Sequence, residues 1–254
     1  MIKKQNYQDK IIWVIGASSG IGEALVKELA SRGAVLALSA RRTDELEKLK
    51  NSLKGLRHEV FSLDVSELAE VINTAEAIYI KFGRIDSIIF LAAVYSPVKL
   101  DNLDPRAIQQ MVEINLLGAF HVVHAVLPIV KKQSYGQIAL CGSVAGYLGL
   151  PGGQPYSATK AGIINLAESL CAELPEPIDI KLISPGFVRT ALTDKNNFSM
   201  PMMIPPTQAA VFIADGLLKN VFEVHFPKRF TWSLKLLQLL PYKLLLKITS
   251  KLNQ

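Results

Sequence analysis

Cysteine and long apolar runs are both scarce in this sequence of 254 residues. The two cysteines, Cys141 and Cys171, offer neither a disulfide framework nor a metal-ligand spacing, and their apolar neighbours predict buried free thiols. No uninterrupted apolar run approaches the roughly 20 residues that a membrane-spanning helix needs. Residues 1–10 are polar and lack the apolar core of a secretory signal, so we expect a cytoplasmic protein.

Acidic residues are absent after Glu223, and this absence locates the net charge of +6. Residues 1–223 hold all 22 acidic residues and 22 of the 28 basic ones, so their formal charges sum to zero. The last 31 residues carry the other six, which are Lys228, Arg229, Lys235, Lys243, Lys247 and Lys251. A nucleic-acid-binding protein usually spreads basic residues over a folded face, so this neutral body argues against a nucleic-acid partner.

Short apolar runs alternate with longer stretches of helical periodicity along residues 1–226. We predict strands at about 10–15, 34–39, 58–63, 86–91, 137–142, 179–184 and 222–225. We predict helices at about 21–32, 43–54 (with Thr43 as N-cap), 66–82, 104–132, 156–174 and 207–219. This order predicts an α/β fold, a doubly wound parallel seven-stranded sheet in one domain, followed by an amphipathic helical tail over 227–254. Ligands bind such sheets outside the carboxyl ends of the strands.

The first strand ends in a glycine-rich turn that leads into a helix. Gly16, Gly20 and Gly22 let the backbone approach a pyrophosphate, and the helix N-terminus supplies free N–H groups and a positive dipole. Ser18, Ser19 and Ile21 complete this predicted dinucleotide-binding turn.

The end of the second strand predicts which dinucleotide is bound. An acidic residue at this point favours NAD(H), whereas arginine receives the 2′-phosphate of NADP(H). This chain has Arg41 and Arg42 and no acid, which favours NADP(H) over NAD(H). The alternative is that both arginines are simply solvated at a helix entrance. After the third strand, Asp64 and Val65 are placed to meet the adenine ring.

Tyr156 and Lys160 are four residues apart on a predicted helix, so their side chains share one face. A lysine ammonium close to a phenol favours the phenolate and lowers the tyrosine pKa, which would suit it to acid–base work. Ser143, after the fifth strand, could hold a substrate oxygen against the phenol. Asn115 either caps a local bend in its helix or holds a water that links Lys160 to solvent.

Together these motifs make the sequence resemble a short-chain dehydrogenase/reductase over residues 9–226. The resemblance rests on the glycine turn, Asp64, Asn115, Ser143, Tyr156-x-x-x-Lys160 and the segment from Pro185 to Thr190. It implies hydride transfer at nicotinamide C4, with Tyr156 exchanging the proton and Ser143 positioning the carbonyl. It also implies that Lys160 contacts the ribose, that Asn115 maintains a proton relay, and that Pro185, Gly186, Val188 and Thr190 close over the nicotinamide. Family members commonly form dimers or tetramers through the two long helices, so we expect a homodimer or homotetramer.

Two positions depart from the family pattern. Ile15 stands where the family usually has threonine, and Phe90-Leu91-Ala92-Ala93 replaces the usual Asn-Asn-Ala-Gly. The missing polar groups are the two ends of one structural link, so apolar packing could replace both together. Ala92 is retained among the expected cofactor contacts.

Other chemistries find less support. His121 and His124 lack acidic ligands at helical spacing, so we predict no metal site, and no His/Asp pair is placed to activate Ser143 as a hydrolase nucleophile. A set of aromatic and methionine residues would line the substrate side and suggests a lipophilic substrate, although a protected core has the same composition. The set is Tyr95, Tyr147, Phe187, Phe198, Met200, Met202 and Met203.

Residues 228–254 form a leucine-rich, basic tail that Pro241 divides into two segments. In the second segment Lys243, Lys247 and Lys251 form one stripe, beside an apolar face of Leu244, Leu245, Ile248 and Leu252. Such a helix suits the surface of an anionic membrane. The alternative is that the helix pair packs on the body or on a second subunit.

These inferences combine into an NADP(H)-dependent oxidoreductase that interconverts a carbonyl and an alcohol on a small-molecule substrate. We expect the reduction of a lipophilic ketone or aldehyde. The alternatives are oxidation of a sterol-like or retinoid-like alcohol at a membrane, a dinucleotide-sensing protein without turnover, and a membrane scaffold.

Overall fold

A computed structural model describes residues 7–250 except 56, 98–99 and 103, and it contains one parallel sheet of seven strands. The sheet order is β3-β2-β1-β4-β5-β6-β7. The strands are β1 (Ile11–Ile15), β2 (Val35–Ala40), β3 (Glu59–Ser62), β4 (Ser87–Phe90), β5 (Gly136–Cys141), β6 (Ile178–Pro185) and β7 (Glu223–Phe226). From β1 the chain adds β2 and β3 on one side, and it then returns to add β4 to β7 on the other side. The strand order therefore reverses between β1 and β4, and the crevice of this doubly wound fold lies beside those strands. The predicted fold class is confirmed.

Helices cover both faces of the sheet. They are α1 (Gly20–Ser31), α2 (Thr43–Ser52), α3 (Leu68–Phe82), α4 (Pro105–Met111), α5 (Gly118–Gln133), α6 (Tyr156–Glu173), α7 (Pro206–Leu217), α8 (Lys228–Gln238) and α9 (Tyr242–Thr249). One apolar core joins the sheet to α3, α5 and α6, and a second joins it to α1, α2 and α7. All five residues of β1 are buried, as expected for a strand covered on both sides.

The structure corrects three local predictions. Thr43 is the first residue of α2 rather than its cap, because Arg42 occupies the N-cap position. The helix predicted over 104–132 is interrupted by a π-helical turn, Val112–Leu117, which contains Asn115. Cys141 is buried as predicted, but Cys171 is exposed because it follows buried Leu170 on the outward side of α6.

The stretch Pro105–Gln133 is long and apolar enough to cross a membrane by length and composition alone. In the fold the side chains of its inner face pack on the sheet and on α3, and Val122 and Val126 have no exposed surface. A core helix accounts for the composition of this stretch.

Ile15 and Phe90, the two departures from the family pattern, stand opposite each other in the pairing of β1 with β4. Neither side chain is exposed, and both lie in the same apolar core. The N–H of Leu91 donates to the carbonyl of Ile15 at 2.8 Å, so the backbone link between the two strand ends is present. Apolar packing therefore occupies the place of the polar link.

The tail folds into α8 and α9, and Pro241 separates them as predicted. Its inner side packs on the body, where Leu234 and Leu245 join Val144 and Leu148 in a small apolar cluster. Leu245 points inward while Leu244 is exposed, so the predicted common face for these two leucines is wrong. Lys251 and Leu252 of the predicted stripe and face lie outside the described residues.

Candidate active site

The carboxyl ends of β1, β2, β4, β5 and β6 meet at one edge of the sheet, and the predicted site residues follow them. The glycine turn follows β1, Arg41 follows β2, Ala92 lies beyond β4, Ser143 beyond β5 and Gly186 directly after β6. Parallel pairing places these strand ends side by side, so residues far apart in sequence share one crevice.

The turn after β1 is compact and depends on its glycines. A Cβ on Gly22 would lie 2.1 Å from the carbonyl oxygen of Gly16, and Gly16 and Gly20 have φ angles of +88° and +59°. Ser19, the N-cap of α1, makes no side-chain capping bond, so the first N–H groups of the helix remain available. A short turn with free N–H groups fits a pyrophosphate.

Arg41 and Arg42 flank this turn. Arg42 donates to the hydroxyl of Ser18 at 3.0 Å, and Arg41 lies 3.8 Å from the carboxylate of Asp64. Burial opposes ionisation of Asp64, but hydrogen bonds from Ser66 and the charge of Arg41 outweigh it and lower the pKa of this carboxyl. Two exposed guanidinium groups beside the helix N-terminus make this part of the crevice attractive to anions.

The opposite side of the crevice comes from β4 and β6. Gly16 packs on the backbone of Ala92, since a Cβ there would lie 2.7 Å from the Ala92 nitrogen, and Gly20 faces the side chain of Thr190. The hydroxyl of Thr193 donates to the carbonyl of Val188 and accepts from the N–H of Thr190, at 2.8 and 2.9 Å. Thr193 therefore fixes the loop after β6, a role without a signal in the sequence. Pro185 is buried, and the N–H of Gly186 donates to the carbonyl of Phe226 at 2.7 Å.

The structure brings Tyr156, Ser143 and Lys160 together. The phenol of Tyr156 lies beside the Ser143 hydroxyl, and the ammonium of Lys160 lies 5.6 Å from the centre of the Tyr156 ring. Lys160 is buried, and its ammonium donates to the carbonyl of Cys141 at 2.8 Å. The end of β5 thus holds both the hydroxyl and the ammonium partner of the phenol.

The direction of the Tyr156 pKa differs from the prediction. Burial of the phenol raises its pKa, and the Ser143 hydroxyl, which acts in the other direction, does not offset this. The ammonium of Lys160 donates to the Cys141 carbonyl, and burial lowers the pKa of Lys160 itself. In this arrangement the phenol is protonated at neutral pH.

The loop after Ser143 lies directly on α6. A Cβ on Gly146 would be 2.7 Å from the Lys160 carbonyl carbon, so glycine permits this close approach. The hydroxyl of Ser157 donates to the carbonyl of Ala145 at 2.5 Å and fixes the same contact. These contacts hold Ser143 and Tyr156 in one rigid unit.

Asn115 is buried in the π-helical turn, and its side chain binds the backbone of the segment after β4. Its side-chain oxygen accepts from the N–H of Val94 at 2.7 Å, and its amide donates to the Val94 carbonyl at 2.9 Å. The amide also lies 3.3 Å from the hydroxyl of Thr159, on the helix that carries Tyr156. Asn115 therefore ties the β4 loop to α6, and Thr159, three residues after Tyr156, is a partner that the sequence analysis missed.

The short chain dehydrogenase family pattern matches residues 10–200. The chain belongs to this family. An uncharacterized oxidoreductase of Staphylococcus saprophyticus is 37% identical over 192 residues, which cover 74% of this chain and 78% of the relative. Membership makes the protein an NAD(P)-dependent dehydrogenase or reductase.

Two solved structures are similar in fold to this short-chain dehydrogenase. One is a Burkholderia phymatum short chain dehydrogenase/reductase in complex with NAD (TM-score 0.84, 22% identity, covering 92% of this chain and 94% of that one). The other is an alcohol dehydrogenase of Thermococcus sibiricus complexed with 5-hydroxy-NADP (TM-score 0.79, 27% identity, covering 86% and 96%).

The remaining candidates are the two histidines and the aromatic residues predicted for the substrate side. The Nδ1–H of His121 donates to the carbonyl of Val65 at 2.9 Å, and His124 is exposed. The described residues contain no group of three metal-ligating side chains. Tyr95 does reach the site, because its ring meets that of Tyr156 edge-on at 5.0 Å. The ring centres of Phe187 and Phe198 are 6.0 Å apart, so the two rings pack together in the segment after β6.

We expect Asn115→Ala to lower the free energy of unfolding by about 1–3 kcal/mol, because both backbone groups of Val94 lose their partner. Urea unfolding measures this change. Gln109→Ala is the control, since the side-chain amide of this exposed residue of the same helical stretch bonds to Glu113. If Asn115→Ala instead kept the free energy of unfolding of the wild type and lost turnover, this result would favour the role of Asn115 in a water relay over its structural role.

Proposed function

We propose that this short-chain dehydrogenase reduces a lipophilic ketone or aldehyde with NADPH. The observation that carries the proposal is the grouping of Tyr156, Ser143 and a buried Lys160 after the carboxyl end of β5. The nicotinamide, when bound, supplies the hydride. Ser143 would donate to the carbonyl oxygen of the substrate and hold it against Tyr156.

Tyr156 would then give its proton to the oxygen as the carbonyl is reduced. A protonated phenol is the form that can donate a proton to a carbonyl oxygen, as reduction requires. Lys160 would stabilise the phenolate left behind and contact the cofactor ribose. Tyr95, Phe187 and the half-exposed Phe198 give the site an apolar border, which supports a lipophilic substrate.

We expect Tyr156→Phe to lower kcat by about 10²–10⁴-fold, because the proton donor is lost, while NADPH still binds. Stopped-flow turnover and fluorescence titration with NADPH measure the two effects. Tyr135→Phe is the control, because it removes a hydroxyl from an exposed tyrosine outside the site. Near-normal turnover by Tyr156→Phe would refute the assigned mechanism, and complete absence of turnover in the wild type would favour a dinucleotide sensor.

The preference for NADPH rests on Arg41 and Arg42, both exposed beside the glycine turn. The guanidinium of Arg42 is positioned by its hydrogen bond to Ser18, and that of Arg41 lies 3.8 Å from Asp64, so neither is buried. Such a pair can bind the 2′-phosphate from two sides.

We expect Arg41→Ala and Arg42→Ala each to raise the Kd for NADPH by about tenfold or more, because a charge-assisted hydrogen bond is lost. The Kd for NADH should change little, and fluorescence titration compares the two cofactors. Arg57→Ala is the control, since Arg57 pairs loosely with Asp9 at 4.0 Å outside the site. Equal losses for both cofactors would remove the basis of the NADPH assignment.

The proposed assembly is a homodimer or homotetramer built on the long helices. Leu117, directly before α5, and Phe120, in its first turn, are apolar residues that are 44% and 47% exposed. A second copy packed on them would remove this apolar surface from water, which supports the proposed assembly.

The outer side of the tail supports a proposed site at the cytoplasmic surface of an anionic membrane. Here we call the exposed residues Trp232, Leu236, Leu239, Tyr242 and Leu246, with Lys243 and Lys247, the outer face. Tryptophan and tyrosine suit the depth of lipid headgroups, and lysines attract anionic lipids. No acidic residue follows Glu223 to oppose that attraction. At such a site, oxidation of a lipophilic membrane alcohol is the second candidate activity.

We expect wild-type protein to sediment with vesicles of phosphatidylserine in phosphatidylcholine, and to be released by salt. Lys243→Glu combined with Lys247→Glu should weaken binding by at least about tenfold, because each lysine contributes about 1 kcal/mol near an anionic surface. Leu239→Glu should weaken it too, whereas Ile80→Glu should not. Leu239 and Ile80 are matched, at 80% and 82% exposed. Wild-type protein that stays in the supernatant would refute the membrane proposal.

A further inference from the structure

Tyr147 lies four residues after Ser143, in the loop of residues 144–150 that borders the crevice, and three contacts hold it. Its hydroxyl donates to the carboxylate of Glu223 on β7. Its carbonyl accepts from the side chain of Gln238 at 2.8 Å, and its ring lies 5.5 Å from the ammonium of Lys235. Two of these three contacts come from α8, so the tail helps to fix the loop.

Glu223 links the loop to the tail. One of its oxygens accepts from Tyr147 and the other from Lys235, so the carboxylate is shared between the loop and α8. The side chains of Lys235 and Glu223 are only 27% and 14% exposed. Burial opposes the charge on Glu223, but the hydrogen bonds from Lys235 and Tyr147 outweigh it and lower the pKa of the carboxyl. The pair therefore stays ionised.

A second contact reaches the other border of the crevice. Phe230, in the first turn of α8, lies 5.5 Å from the ring of Phe187, which comes two residues after β6. A Cβ on Gly186 would be 3.0 Å from the Phe230 ring. Because residues after β5 and after β6 flank the crevice of such a sheet, α8 supports both of its borders.

We propose that α8 is a wall of the substrate crevice, and that the Lys235–Glu223 pair and Phe230 determine which carbonyl compounds fit. The pair fixes Tyr147, and Phe230 fixes Phe187, so the width between the two aromatic side chains is set by the tail. The apolar part of the substrate, away from the carbonyl, would lie between them. This inference rests on the proposed carbonyl reduction, but its first test does not need turnover.

The first test is hydrogen–deuterium exchange of the full-length protein. Lys235→Met keeps most of the side-chain length and removes the charge, so residues 144–150 should exchange at least about tenfold faster than in the wild type. Arg229→Met is the matched control, because it removes one positive charge from an exposed position of the same helix. Equal exchange in the two variants would overturn the proposal.

The second test compares kcat/KM with NADPH for carbonyl compounds of one reactive group and graded bulk. Phe230→Ala, which leaves the ion pair in place, should change the ratio for bulky against small substrates by about tenfold, since pocket shape discriminates on this scale. Arg229→Met should keep the wild-type ratio. A uniform loss for all substrates would show that Phe230 only stabilises the fold, and would overturn its assignment as a specificity residue.

The two tests separate the two proposals. A wild-type protein that turns over no carbonyl compound while Lys235→Met loosens residues 144–150 would refute carbonyl reduction and retain the tail as a wall. Normal carbonyl reduction by the wild type, with wild-type exchange in Lys235→Met and a wild-type substrate ratio in Phe230→Ala, would retain carbonyl reduction and refute the tail as a wall.

Discussion

The ammonium of Lys160 is buried against the last carbonyl of β5, and the active-site geometry depends on this contact. A buried charge needs a partner, and the Cys141 carbonyl supplies one at 2.8 Å. The contact draws the start of α6 over the end of β5, so Tyr156, one turn earlier, reaches the Ser143 hydroxyl on the same strand end. Gly146 allows the approach, because a side chain there would collide with the backbone of α6.

The sequence predicts those parts of the fold and site whose signals are local. Strand and helix periods predict the sheet, and the glycine turn and Tyr156-x-x-x-Lys160 carry their own spacing. Contacts between distant segments leave no such signal. Asn115 is hydrogen-bonded to Val94 and to Thr159, which is 44 residues further along the sequence. Tyr147 is hydrogen-bonded to Glu223, which is 76 residues further along. The spacing of Tyr156 and Lys160 predicts a lowered pKa for the phenol, whereas burial raises it. Spacing reports neither this burial nor the Cys141 carbonyl that binds Lys160.

At Ile15 and Phe90 the chain places two apolar side chains opposite each other where the family pattern has polar ones. A threonine at 15 would bury a hydroxyl against Phe90, and an asparagine at 90 would bury an amide against Ile15, each without a partner. With both apolar, the two strand ends pack in one core, and the Leu91 N–H still bonds to the Ile15 carbonyl. Gly16 directly follows this link and rests on Ala92. The cofactor turn is therefore held by backbone contact at a point where the family pattern has side-chain polarity.

The tail has two faces, and the distribution of charge follows from them. Lys235 is neutralised on the inner side by Glu223, the last acidic residue of the sequence, while Lys243 and Lys247 remain exposed. Two of the surplus charges, Lys243 and Lys247, thus lie on the outer face, and the inner face supports Tyr147 and Phe187. A displacement of the outer face would reach the crevice through one short helix with a partly buried ion pair. If the outer face binds lipid, membrane binding and the shape of the crevice share α8, and a change at one is transmitted to the other.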